Sequence, residues 1–180
     1  PGWQAMSWGK NYYAATFANT FLSRKAFLGA PPQCEETVAT INVDIAKADK
    51  YLVLIRYEAA YRFETQFRVT IEQAGGTPFD RLYGARDNVK IWAFSQKLKK
   101  EVRWSWGAVE NVVWEGHDAF AELAKGKATI RLIAGKQEGL AAKRNVDIVM
   151  LTANVADLQN RIEKEPYLPL DGLLTQTGDV

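Results

Sequence analysis

The sequence is short of the residue types that most catalytic and metal-binding sites require. Its 180 residues include one cysteine, Cys34, and one histidine, His117. A single cysteine excludes an internal disulfide. That removes the usual mark of a small secreted scaffold without excluding secretion, because a chain of this length can bury a core that stands without staples. One cysteine and one histidine are also too few for a tetrahedral zinc site. No apolar run approaches the roughly 18 residues of a membrane-crossing helix, so no membrane insertion is expected. The net charge is only +2, from 23 Lys and Arg against 21 Asp and Glu, which does not point to nucleic acid. The one basic run, Lys97, Lys99 and Lys100, is closed at once by Glu101 and reads as a solvated face. There is no glycine-rich phosphate loop, no internal repeat and no low-complexity segment.

The residues that could carry catalysis do not assemble into a motif. Cys34 is followed by Glu35 and Glu36, whose negative field disfavours a thiolate, so a reactive nucleophile is not expected. His117 lies in Trp114–Glu115–Gly116–His117–Asp118, but neither Ser95 nor Ser105 sits in a nucleophile motif that it could activate. Glu35 and Glu36 would face opposite ways on a strand. The reading is a protein that is not an enzyme.

What the chain does have is aromatic and β-forming residues. Aromatics make up 12% of it and six are Trp, enough to leave ring surface beyond what a core absorbs. Residues 1–33 carry Trp3, Trp8, Tyr12, Tyr13, Phe17, Phe21 and Phe27 and read as short strands on the edge of the fold, ended by Pro31–Pro32. Val38 to Ile45 alternates, with Ile41, Val43 and Ile45 on one face and Asn42 and Asp44 on the other. Tyr51 to Tyr57 is a dense run suited to a central strand buried on both sides. Phe63 to Gln73 alternates through Phe67, Val69 and Ile71, ending at Gly75–Gly76. Residues 77–88 read as a polar loop. Further strands are expected at Val89–Phe94, Val109–Trp114, Phe120–Leu123, Ala128–Ala134 and Val146–Leu151, with a polar loop from Gly135 to Asn145. Many short strands with regular turn signals predict an all-β antiparallel sandwich.

A short C-terminal helix is expected from Asn154 to Lys164, capped by Asn154, with Asp157 at its third position, and stopped by Pro166. An apolar tail, Tyr167 to Leu174, follows. The expected organisation is an aromatic segment over 1–35, a sandwich over 36–152, and a helix and tail over 153–180. The start at Pro1–Gly2–Trp3 and the end at Gly178–Asp179–Val180 read as those of a piece of a longer protein.

Several of these parts occur in an order that resembles carbohydrate-binding modules of families 6 and 35, among the galactose-binding-domain-like jelly rolls. The strand Asp49, Tyr51, Leu52, Val53, Ile55, Arg56, Tyr57 is similar to one of theirs. So are Phe67 to Gly76, the Trp-bearing stretch Trp104 to Trp114, the Leu123–Gly126 turn into Ile130–Leu132, and Asn145 running into Val146–Leu151. The resemblance covers about residues 36–152. It implies a jelly roll with a sugar site on strand-end loops, where an aromatic face stacks on the ring and polar groups bond its hydroxyls. The matching positions are Tyr61, one of Trp104, Trp106 or Trp114, and Asn145.

The implied partner is a polysaccharide or glycan, and the implied location is extracellular or at the cell surface. The family's structural calcium site has no clean equivalent; Glu35 and Glu36 are the nearest candidates, so no cofactor is expected. The stretch 77–108 and everything after Leu151 exceed the family pattern. Each residue also has a plainer role: Tyr61 as a half-exposed aromatic, Trp104 and Trp106 as a core lid, Trp114 as core, Asn145 as a turn former. Lys143 and Arg144 read as solvated, and Arg56 as the partner of a carboxylate. The alternative function is a structural or protein-interaction sandwich that joins neighbouring domains or subunits.

Overall fold

The computed structural model describes residues 2–7, 26–31, 33–58, 66–85, 112–116, 118–136 and 144–157. These form ten strands: β1 (Gln4–Ser7), β2 (Ala26–Ala30), β3 (Thr37–Ile45), β4 (Asp49–Glu58), β5 (Phe67–Glu72), β6 (Phe79–Tyr83), β7 (Val112–Glu115), β8 (Phe120–Leu123), β9 (Gly126–Ala134) and β10 (Arg144–Thr152). They make two antiparallel sheets. The wide sheet runs β1-β2-β10-β4, and its last rank is shared by β7 and β8, which pair with successive halves of β4. The narrow sheet runs β3-β9-β5-β6. The all-β sandwich expected from the strand spacing is therefore present.

Period-two alternation builds the interface between the sheets. Val53, Ile55 and Tyr57 of β4 face Phe67, Val69 and Ile71 of β5 and Ala128, Ile130 and Leu132 of β9 in one cluster. Burying each large apolar side chain there contributes about 1.5–3 kcal/mol. Phe67 is at the centre of an aromatic group, edge-on to Tyr57 at 5.4 Å and stacked on Tyr83 at 5.9 Å. Trp3 meets Phe67 edge-on at 6.5 Å and also packs on Ala30, Cys34 and Ala134.

β4 is buried on both sides, as its dense β-forming run predicts: every residue from Leu52 to Tyr57 is buried. β3 and β5 alternate as expected. Residues 77–88 depart from expectation. They contain β6, a five-residue strand paired with β5 in a hairpin that turns at Gly75, whose φ is 75°. Phe79 and Tyr83 face inward, and the intervening Asp80 and Arg81 obscure that alternation in the sequence. β10 starts earlier than expected, at Arg144, so Asn145 is in a strand and not in the preceding loop.

Between β7 and β8 the Ala119 N–H donates to the Gly116 carbonyl at 3.0 Å, and Asp118 takes a left-handed φ of 53°. Val53 N–H then donates to Ala119 O at 2.7 Å, which returns the chain to β4. At the C-terminal side the Asp157 N–H donates to Asn154 Oδ1 at 3.2 Å, the expected cap, and Val155–Asp157 begin a helical turn. The rest of the expected helix, the tail and the strand at Val89–Phe94 lie outside the described residues.

Candidate functional site

The strand registers decide which connections share an end. Asn145 pairs with Glu58 and Gly29, Thr37 with Ala134, and Phe67 with Tyr83. One end of the sandwich therefore carries the connections β2–β3, β4–β5, β6–β7 and β9–β10. The opposite end carries the β1–β2 connection, residues 8–25, and the short turns after β3, β5 and β8. Tyr61 belongs to the β4–β5 connection, and Trp104 and Trp106 belong to β6–β7. Both connections are anchored at the end where Asn145 lies.

Arg144, at the first position of β10, ties this end together. It is 2% exposed, against the expectation of a solvated side chain. Its Nε donates to Gln66 O at 2.8 Å and its Nη1 to Pro31 O at 2.7 Å; Nη2 donates to Gly135 O. The Cys34 sulfur lies 3.9 Å from Nη1. One planar guanidinium thus satisfies backbone carbonyls from three of the four connections, a use of its fixed donor fork that a lysine could not reproduce. Burial pulls the Arg144 pKa below its ordinary value. Cys34 itself is buried, in keeping with an inert thiol.

A second polar group lies on the side of the wide sheet turned away from the core. A bulge between Val146 and Ile148 inserts Asp147 opposite Arg56, and their charged atoms stand 3.2 Å apart. Both side chains are nearly inaccessible, 7% and 1% exposed. This is the carboxylate partner expected for Arg56. Burial pulls the Arg56 pKa down and the Asp147 charge opposes it. Asn145 lies on the same side, 4% exposed, opposite Gly29. A side chain at Gly29 would collide with Met6 and crowd the Asn145 amide, so the glycine lets the strands close around that amide.

The third group is interior. Tyr57 Oη donates to Glu115 Oε2 at 2.6 Å, and Gly84 N–H donates to the same oxygen at 2.9 Å. Tyr83 Oη donates to Val53 O at 2.9 Å. Burial pushes the Tyr83 pKa up. These bonds tie the wide sheet to the end of β6. Glu115 is therefore a buried strut within the fold. His117 lies outside the described residues.

Of the sequence-expected site residues, Tyr61, Trp104 and Trp106 lie outside the described residues. Trp114 is placed by its backbone on β7, in register with Arg56. Asn145 is placed fully. Among the described residues, no group of three or more His, Cys, Asp or Glu is arranged to hold a metal ion. No described helix is long and apolar enough to cross a membrane.

Fold and geometry together define a two-sheet antiparallel β-sandwich with four connections at one end, three of them tied by a buried arginine. The chain matches no protein-family model and no curated protein.

Proposed function

We propose that this chain is a noncatalytic carbohydrate-binding module of the jelly-roll type, part of a larger secreted or surface protein. The strand order supports the jelly roll: the chain passes between the sheets in the succession β2, β3, β4, then β5–β6, then β7–β8, then β9, then β10. The observation that carries the binding reading is the shared anchorage of the connections holding Tyr61, Trp104 and Trp106: Arg144 holds Gln66 at the base of the first, and Glu115 holds Gly84 at the base of the one that carries both tryptophans. A rigid base limits the ordering cost when aromatics in those connections stack on a sugar ring. Trp114 and Asn145 complete the proposed set, and no cofactor is required.

Affinity electrophoresis against soluble polysaccharides, or a glycan array, tests this. The wild type is expected to bind at least one glycan. Trp104→Ala or Trp106→Ala is expected to weaken binding at least about tenfold, the equivalent of roughly 1.4 kcal/mol. Full retention by both variants would remove the platform assignment. A second reading, a structural or protein-interaction sandwich, is favoured by β3, which ends the narrow sheet with no strand on its outer side among the described residues.

A further inference from the structure

Edge strands present unpaired backbone groups, and natural sheets blunt them with short length, bulges, proline, lysine or inward charges. Three of the four edge ranks here follow that rule. β1 has four residues, β6 has five and follows Pro78, and the β7–β8 rank is broken at Asp118. β3 does not. Its nine residues pair with β9 without a bulge, it contains no Pro, Lys or Arg, and its one charge is Asp44. Among the described residues no strand pairs with its other side. Gly2 and Trp3 pack on Thr37, and among the described residues Val38–Asp44 has no strand on its outer side. The inward side chains Ala39, Ile41 and Val43 are only half-buried, whereas Ala128, Ile130 and Leu132 on the neighbouring β9 are buried. The apolar interior thus runs out to an open rim, and Val38 on the outer side is 47% exposed.

We propose that β3 pairs antiparallel with β3 of a second copy of this chain, about a two-fold axis through Ile41. The strand is complementary to itself in that register. Val38 meets Asp44, Ala39 meets Val43, Thr40 meets Asn42 and Ile41 meets its own copy. Apolar inward residues face apolar inward residues, and no like charges stand directly opposite. Extending the register sets Glu35 of one copy level with Lys47 of the other at both ends, which favours a second copy over an unrelated strand. The contact is isologous and joins the two narrow sheets into one. It does not depend on the carbohydrate reading.

Sedimentation equilibrium on the wild type, Thr40→Glu and Leu82→Glu tests the pairing. Thr40 is exposed and lies across from Arg131 on β9, so a glutamate is tolerated in the single chain. In the pair it brings two glutamates near each other and near both Asp44 side chains. Leu82 lies on the opposite edge strand and serves as the control. The wild type is expected to dimerise below about 1 mM, Thr40→Glu to weaken dimerisation at least about tenfold, and Leu82→Glu to leave it unchanged. A wild type that stays monomeric to that concentration overturns the proposal. So does a dimer indifferent to Thr40→Glu, or one that Leu82→Glu weakens as much. Amide exchange of wild-type β3 gives a readout that needs no variant: protection that rises with protein concentration supports the pairing. Protection independent of concentration, or gained only with an added foreign peptide, refutes it.

Discussion

On the wide sheet, the side of β4 turned from the core carries Leu52, Leu54 and Arg56, all buried. On the narrow sheet, the same side of β5 carries Arg68, Thr70 and Glu72, and Arg68 and Glu72 are about half-exposed. Each sheet places an arginine–aspartate pair on that side, Arg56–Asp147 on the wide one and Arg68–Asp80 on the narrow one. The chemical groups are the same and the surroundings differ. Water screens the narrow-sheet pair, whereas the wide-sheet pair has lost its hydration and depends on its partner. The outward side of β4 is thus buried, and the outward side of β5 is solvated.

The largest expected effect breaks the two pairs in parallel. Asp147→Ala removes the carboxylate that balances a buried guanidinium and is expected to cost about 3–5 kcal/mol. Asp80→Ala removes an exposed partner and is expected to cost no more than about 1 kcal/mol. Urea unfolding of both variants measures the difference directly. Equal costs would mean that the two sides are solvated alike.

Next in size is an apolar pair on the same two sides. Leu54→Ala leaves a cavity and is expected to cost about 2–5 kcal/mol. Leu82→Ala, on the exposed side of β6, is expected to stay within about 0.5 kcal/mol of wild type. A small loss at Leu54 would show that its cover relaxes to fill the space.

The same contrast explains what could be read from the sequence. β4 announced its two-sided burial through a dense β-forming run, and β3 and β5 announced one more-buried side through alternation. β6 was hidden because Asp80 and Arg81 dilute a five-residue pattern that only pairing with β5 completes. Arg144 was misread because its partners are carbonyls of Pro31, Gln66 and Gly135, and carbonyls leave no trace in side-chain patterns. Glu115 finds Tyr57 across 58 positions, a distance that no local motif spans. Of the candidate site, the sequence carried Tyr61, Trp104, Trp106 and Trp114 only as residue types. The registers add that the first three belong to connections anchored at one end.

A smaller effect belongs to the rank that β7 and β8 share. Asp118 holds a left-handed φ of 53° where the wide sheet breaks its edge. Asp118→Val places a branched side chain in that conformation and is expected to cost about 1–3 kcal/mol. Asp118→Gly is expected to be neutral or slightly stabilising. Thermal unfolding of the pair checks this, and a tolerated valine would mean that the turn rearranges freely.

The smallest effect is electrostatic and lies where β4 leaves the buried layer. Asp49 accepts from Lys50 N–H at 2.9 Å and from Lys47 Nζ at 3.3 Å, both in solvent. The backbone bond first, and the lysine second, hold its carboxyl below the ordinary value of 3.8. A carboxyl whose pKa is lowered in the fold contributes stability above its unfolded pKa, and that contribution is lost as pH falls through the folded value. Asp49→Asn keeps an acceptor for the Lys50 N–H and removes only the charge. The melting temperature of the wild type is therefore expected to fall slightly more steeply than that of Asp49→Asn below about pH 4, the unfolded carboxyl range. Parallel acid limbs would show that this first turn of the wide sheet is as fully screened as the outward side of β5.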